Sequence, residues 1–559
     1  MKQGIGTWLE KNPKALADVD AWLARLAAGE AAGGQRVILA QIVRDHGCPH
    51  TDQTSICLWL RKHRKKATAK ARKGAEKRRE RKAKKARVAI PTFERSVLAV
   101  QALERKRDFV VTCAQNNTAP DRGFLKALRR YCAGKGAELL VIPMRYKNPT
   151  ATTDPQEGDD AYRYWWADEL KPHLVQNEIR PHPLLRIMAQ VRIQATAGTP
   201  LSGRRDGRSK AASAIYGHPQ MSMRTVPTPQ EHLPKILYST GSVTEKNYSR
   251  TDAGDMGEFH HSHGAVVVEV RGDDFHLREV NWDGKRFYDV DRWYSADGSG
   301  ESGGAEALYM GDVHRRFIDT SVLRATFTAK DSIVKTTRPK LIVAGDIFDG
   351  YSISHHERGR KLTEAFRAER GLDCVHGELT EAAEWLQGVS ETWAPVVVTP
   401  SNHDDFLMRW LQAGDVGVEP KNREVYAYLT HRVLKEARET GQVPDPFELF
   451  CRGKVGRRTR FLRTDESLQV KGVELGMHGH LGPNGSRGSA RNLSRIGTRS
   501  IIGHSHSPCI WQGVYQVGTS SLLNLGYTSG PSSWFHTHAL VHPNGRRQML
   551  HIVGGKWRG

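Results

Sequence analysis

The chain has 559 residues, an apolar fraction of 38%, and 84 Lys or Arg against 61 Asp or Glu, for a formal charge of +23. That length allows three or four domains, and that charge favours a polyanionic partner, nucleic acid first. No apolar run approaches the ~20 residues of a membrane span, no apolar signal core opens the chain, and the seven cysteines are scattered without a C-x-x-C pair, which argues against a disulfide framework or a thiolate zinc site and leads us to expect a cytoplasmic protein.

Residues 1–64 are predicted as three short helices. Val19, Trp22, Leu23 and Leu26 recur at helical spacing, then Ile38, Leu39, Ile42 and Val43, then Ile56, Leu58, Trp59 and Leu60. A turn with Gly47, Pro49, Thr51 and Asp52 separates the last two, giving a helix-turn-helix outline. A small bundle used for oligomerisation would have the same pattern. Residues 65–90 read as a basic linker. Between 61 and 87, sixteen Lys or Arg face two Glu with no apolar stripe, so this stretch offers phosphate affinity and no core.

Residues 91–300 are expected to form an α/β accessory domain. Phe109–Cys113 and Leu139–Met144 are apolar runs separated by a helical pattern over Arg122–Cys132, which predicts a parallel strand–helix–strand unit. Ala265–Val270 and Phe275–Val280 alternate like strands, with the hairpin-like turn assigned to the segment that starts at Asn281. Gln115, Asn116 and Asn117 end the first strand, where they could line a site or cap a loop.

From 301 to 559 the rhythm is strand, then motif. Ala307–Met310 precedes Asp312-x-His314, Leu341–Ala344 precedes Asp346 and Asp349, and Pro395–Thr399 precedes Asn402-His403-Asp404. Val473–Met477 precedes His478, and Ser500–Ile502 precedes His504-x-His506. Helical segments are expected at Arg358–Arg370, Glu381–Trp385 and Arg423–Arg438, and closing strands at Ala539–His542 and Gln548–Val553. The fold class is therefore α/β: a layered β-sandwich domain with flanking helices, preceded by the accessory domain and the helical head. Ligand-type residues follow strand ends, where loops converge. Residues i and i+2 on an extended strand face one side, so each of the Asp-x-His and His-x-His pairs can aim at one place. A carboxylate, amide and imidazole set without thiolate suits manganese, magnesium, iron or zinc. Two such ions need a bridging carboxylate, and between them they activate a water for attack on phosphorus.

This ordered set resembles the calcineurin-like metallophosphoesterase superfamily. The resemblance implies that Asp312, His314 and His506 hold one divalent ion, that Asp346 bridges, and that Asn402, His478 and His504 hold a second, with manganese first in expectation. It implies that His403 contacts the phosphate and protonates the leaving oxygen, and that Asp349 and Asp404 orient the motif histidines. Ser401 departs from the glycine usual before Asn-His. His480 stands two residues after His478 as an alternative ligand. His355, His356, Arg487 and Arg491, with Arg495, are candidate substrate contacts; a basic helix face is the bland reading of the arginines. His536, His538 and His542 read as structural histidines. The segments FVVTCAQNNT, GDIFDGYSISHHE and PSNHDDF are also similar to the early-expressed DNA-degradation proteins of T-five-type bacteriophages, over roughly 95–559. That likeness implies a manganese-dependent DNase acting in the host cytoplasm on host DNA, as a homo-oligomer. The alternatives are a phosphodiesterase or phosphomonoesterase for small substrates, and a non-enzymatic DNA-binding protein that keeps the fold for structure.

Overall fold

A computed structural model describes residues 5–28, 35–49, 59, 97–146, 164–203, 205–354, 359–414, 418–525 and 529–559. The basic linker, the turn residues Thr51 and Asp52, and His355 and His356 lie outside the described residues. The chain divides into two compact units, Met1–Thr92 and Phe93–Gly559.

In the first unit the expected leading helix is two helices, Ile5–Lys11 and Pro13–Ala28. Proline at the first position of the second has no N–H to waste there, so the break costs little. The helix Gln35–Asp45 ends at Gly47, whose φ of +75° only glycine adopts freely. Cys48 N–H closes onto Val43 O at 2.9 Å, the bond that terminates such a helix. Ile5, Leu9, Val19, Trp22, Leu39, Val43 and Trp59 share one small core.

The second unit is a mixed α/β body with four sheets. The strand Asp108–Gln115, the helix Arg122–Lys135 and the parallel strand Glu138–Met144 form the expected unit, with Phe109 opposite Glu138. Asp121 caps the helix by accepting Phe124 N–H, and Gly136 at φ +66° ends it. Gly264–Arg271 and Asp274–Asn281 complete this four-stranded sheet. Their hairpin turns at Gly272 (φ +63°), not at Asn281. The Asn281 segment instead leads into a small sheet starting at Arg286, with Asp283 Oδ1 accepting the N–H groups of Lys285 and Arg286.

A six-stranded sheet runs in the spatial order Thr459–Phe461, Val396–Val398, Ile342–Ala344, Ala307–Tyr309, Thr537–Val541, Arg547–His551. Its first four strands are parallel and its last two antiparallel. A ten-stranded sheet runs from Gln469–Val470 through Val473–Glu474, Ser500–Ile502, Val514–Gln516 and Cys509–Trp511. It continues without a break into Met221–Val226, Lys235–Thr240, Ser213–Tyr216, Leu185–Ile187 and Ile179–His182. The joint is the antiparallel pair Cys509–Arg224 and Ile510–Met223. The chain therefore does not separate at residue 300: strands from both sides share one sheet.

Side-chain alternation shows how the sheets stack. Ala307, Tyr309, Val343, Ala539 and Met549 point into a central core. The same core takes Val111, Leu140 and Val266 from the four-stranded sheet and Ile501, Tyr515, Ile215 and Met223 from the ten-stranded one. The intervening residues Leu308, Met310, Ile342, Ala344 and Leu540 point the other way, onto the helices Val375–Thr392, Asp404–Gln412, Arg423–Thr440 and Pro446–Cys451. Three sheets around one apolar centre, with helices outside the six-stranded sheet, fix the strand ends that carry the site.

Candidate metal centre

Five strands deliver the motif residues, and the three strands that carry Asp312, Asp346 and Asn402 are parallel neighbours. The strands ahead of His478 and His504 are parallel neighbours too. Both sets thus send their loops out at C-terminal strand ends.

Asp312, His314, Asp346 and His506 are all buried, and their ligand atoms lie within 4.8 Å of one another. His314 Nδ1 donates to Asp349 Oδ1 at 2.7 Å, which leaves Nε2 with its lone pair. That Nε2 lies 3.0 Å from His506 Nε2, which itself lies 3.2 Å from Asp312 Oδ2. On the other side of Asp346, His478 Nε2 approaches Oδ2 at 3.1 Å, while His478 Nδ1 is 3.9 Å from Asp312 Oδ1. His504 Nδ1 meets Asn402 Oδ1 at 2.8 Å, and the His504 and His478 rings are 5.6 Å apart. His314 Nε2 and His478 Nε2 thus both approach Asp346 Oδ2, at 3.6 and 3.1 Å.

The donor set fits a divalent cation. Asp312 Oδ1, Asp346 Oδ1, both ring nitrogens of His478 and Nδ1 of His506 are buried without a hydrogen-bond partner. Such orphans are costly in an interior unless an ion or water takes them. A buried Asp and His group of this kind could hold a metal ion.

Electrostatics point the same way. Burial pushes the His314 imidazole down, but the hydrogen bond and charge of Asp349 with Asp346 and Asp312 outweigh it and hold its pKa up to about 9. His478 is likewise driven down by burial and raised to about 9 by Asp346 and Asp312. The Asp346 carboxyl is disfavoured by burial yet held well below its usual range by His478, His403 and His314. Positive charge is favoured at this spot, whether a proton or a cation supplies it.

The backbone here is unusual. His314, Asp346, His504 and His506 have φ of +45°, +49°, +75° and +57°. Left-handed non-glycine residues cost ~1–3 kcal/mol each and concentrate at functional sites. These residues are therefore not on extended strands, where i and i+2 would face one side. Asp312 and His314 do converge, but through a left-handed turn. His504 and His506 diverge to different partners. Glycine enables the approach: a Cβ on Gly503 would sit 2.1 Å from Asp312 Oδ1, and one on Gly345 would sit 2.8 Å from His478 Nδ1.

His403 is half-buried, with Nδ1 donating to Asp349 O at 2.5 Å and its ring edge-on to His314 at 4.7 Å. A carbonyl only accepts, so Nδ1 carries the hydrogen and Nε2 is left to exchange a proton. Asp349 contacts two motif histidines, His314 through its carboxylate and His403 through its carbonyl. Asp404 hydrogen-bonds elsewhere: its Oδ2 accepts from Ser401 N–H and Oγ–H at 3.1 and 3.0 Å, and it acts on His478 only through its charge. Asp404 N–H returns to Ser401 Oγ, a reciprocal cap for the helix that begins there. Ser401, the departure from glycine, thus has a mechanical use. His480 stacks loosely on His478 and His504, with burial lowering it to about 4. Of the two, His478 is the one against both carboxylates. Arg487, Arg491 and Arg495 are exposed; they flank the loop after His480 and lie on a loop, a short helix and a 3-10 turn, not on one helix face.

Several supporting residues escaped the sequence pattern. Tyr309 Oη donates to Met477 O at 3.1 Å, and Trp534 packs on His506 with ring centres 4.3 Å apart. Glu378 accepts the N–H groups of Tyr351 and Ser352, fixing the loop after Asp349. Glu378 sits on an otherwise apolar stripe with Val375, Leu379 and Ala382, a signal that was there to be read. His536 and His538 make ordinary bonds: His536 to Ser521 O, and His538 to Gly311 N–H and Thr326. His542 stacks on Tyr288. Gln115, Asn116 and Asn117 tie loops together through Asn247, Tyr146 and Trp165. A separate trio, Asp121, Glu245 and His263, also converges. There Asp121 already gives both oxygens to Phe124 N–H and Trp282 Nε1–H.

No helix among the described residues is long and apolar enough to cross a membrane. No protein-family model and no solved structure matches the chain. Protein A1 of Escherichia phage T5 is 30% identical over 528 residues, spanning 90% of this chain and 91% of that protein. Residues 95–559 are less than that share, so the likeness extends into the head that we had set outside it. On that identity and coverage, the chain belongs to the family of phage T5 Protein A1.

Proposed function

We propose that the chain is a metal-dependent DNA phosphodiesterase of the calcineurin-like metallophosphoesterase type. The observation that carries this reading is the buried convergence of Asp312, His314, Asp346 and His506, with His478 Nε2 3.1 Å from Asp346 and His504 Nδ1 2.8 Å from Asn402; Asp346 would bridge two ions. Two divalent ions held there, manganese first, would lower the pKa of a water and neutralise charge on the phosphoryl group. The residues around them have separable tasks. Asp349 holds His314 so that Nε2 points at the carboxylates. His403, fixed by Asp349 O, holds a proton on Nε2 for the leaving oxygen. Tyr309 and Gly503 set the two histidine-bearing loops against Asp312. The net charge of +23 favours a polyanionic substrate over a small one.

The test is incubation of the purified protein with linear and closed-circular DNA plus manganese, magnesium or chelator. Cleavage that needs the ion is expected. His403→Ala should lower turnover by at least ~100-fold with bound metal unchanged by elemental analysis. A wild-type protein that binds no divalent ion and leaves both DNAs intact would refute the reading.

A further inference from the structure

The outer edge of the six-stranded sheet is the strand Thr459–Phe461, which among the described residues pairs with Val396–Val398 alone. The segment around it, residues 452–463, contains Arg452, Lys454, Arg457, Arg458, Arg460 and Arg463 and no acidic residue. All six are exposed. Arg452 pairs with Glu436 and Glu448, and Arg460 pairs with Glu466. Arg458 donates to Glu391 O, and Arg463 donates to the Gln442 amide oxygen. Lys454 lies over Phe450. Among the described residues, Lys454, Arg457 and Arg458 have no carboxylate partner, so their charge faces solvent uncancelled, while Arg463 shares the field of Glu466, which also accepts its backbone N–H.

Position gives this charge its meaning. Leu462 N–H donates to Val398 O at 3.0 Å, and the chain from Val398 runs directly through Ser401 to Asn402 and His403. Arg463 therefore stands beside the turn that carries the proposed proton donor. Arg457 and Arg458 lie just before the edge strand, and Lys454 lies over Phe450.

Edge strands are often charged simply to block pairing with another sheet. Either sign does that, and exposed Lys454, Arg457 and Arg458, with no carboxylate partner among the described residues, are more than blocking asks. We infer that this edge is a track for the phosphate backbone of double-stranded DNA, leading to the Asn402–His403 turn. The inference rests on the phosphodiesterase reading for the identity of its substrate. Lys454, Arg457, Arg458 and Arg463 lie in the segments just before and after this three-residue strand, where guanidinium and ammonium groups can meet phosphates.

The experiment compares the full chain with two triple variants, Lys454→Gln/Arg457→Gln/Arg463→Gln and the same three positions changed to Glu. Binding of a fluorescein-labelled duplex is followed by anisotropy in EDTA between about 50 and 200 mM salt. Each lost phosphate contact should reduce the slope of log K against log salt by about 0.9. The Gln triple should therefore lose nearly three from that slope, and affinity at the low-salt end should fall more than ~10-fold. The Glu triple should fall further. A Gln triple that melts like the wild type and keeps its slope overturns the track. Turnover of bis-p-nitrophenyl phosphate by the wild type tests the centre independently. An inert wild type would remove the phosphodiesterase reading while the slope comparison still decides the track.

Discussion

Replacing Gly503 with alanine probes the tightest approach in the site. The new Cβ would lie 2.1 Å from Asp312 Oδ1 and 3.1 Å from its Cγ. An ordinary contact returns only if the carboxylate or the loop shifts by roughly 1 Å, a displacement able to cost ~100-fold at an active site. Asp312 has little room to comply. Its Oδ2 accepts His504 N–H at 2.7 Å and faces His506 Nε2 at 3.2 Å, and its own N–H is bonded to Gly518 O. We expect manganese affinity, read by calorimetric titration, to fall ~10–100-fold. Stability should fall by ~1–3 kcal/mol, the usual cost of overpacking. Gly388→Ala is the control. Gly388 is exposed within the helix Val375–Thr392, and nothing lies within 4 Å of an added Cβ. That change should raise stability by up to ~1 kcal/mol and leave the titration alone. If Gly503→Ala binds manganese with wild-type affinity and stoichiometry, the account of the site's geometry is wrong.

Two further expectations concern pH. Burial lowers His261, His538 and His551 to about 3 and His276 and His542 to about 4. Their folded values lie below the ordinary 6.5, so the stability they contribute is full above pH 6.5 and drains away as pH falls toward 3. At pH 4.5 each of those near 3 has lost up to ~2–3 kcal/mol, and urea midpoints at pH 7 and 4.5 should differ steeply; equal midpoints would contradict this. Glu279 acts in the opposite sense. Burial raises it to about 7, although Met549 N–H and Tyr238 Oη–H donate to it. Its contribution is full below pH 4.5 and lost as pH rises through 7, on the order of 3 kcal/mol. Glu279→Gln should therefore gain stability over the wild type at pH 8 and much less at pH 5, measured by the same unfolding assay.

Much of the site was legible because each ligand follows a short apolar run, and buried parallel strands look like that in any sequence. The strands before Asp312, Asp346, Asn402, His478 and His504 lie where those runs stand. The helix Asp404–Gln412 was missed because Asn-His-Asp read as a loop, although Phe406, Leu407 and Leu411 were present for its buried face. Left-handed backbone at His314 and His506 has no signature in residue type, since glycine is its usual marker. The ten-stranded sheet was illegible for a different reason. Its joint pairs Cys509 with Arg224, and pairings so distant along the chain leave no local period to detect.

That joint also sets how this protein can be inherited and engineered. A crossover near codon 300 would give each daughter half a sheet. The strand Cys509–Trp511 would lose Met221–Val226, and the longer strand Met221–Val226 would in turn be bared as an unpaired edge of the kind that aggregates. The half that carries the candidate metal centre is thus not a portable cassette, and functional descendants must carry both halves together or evolve a substitute for the missing rim.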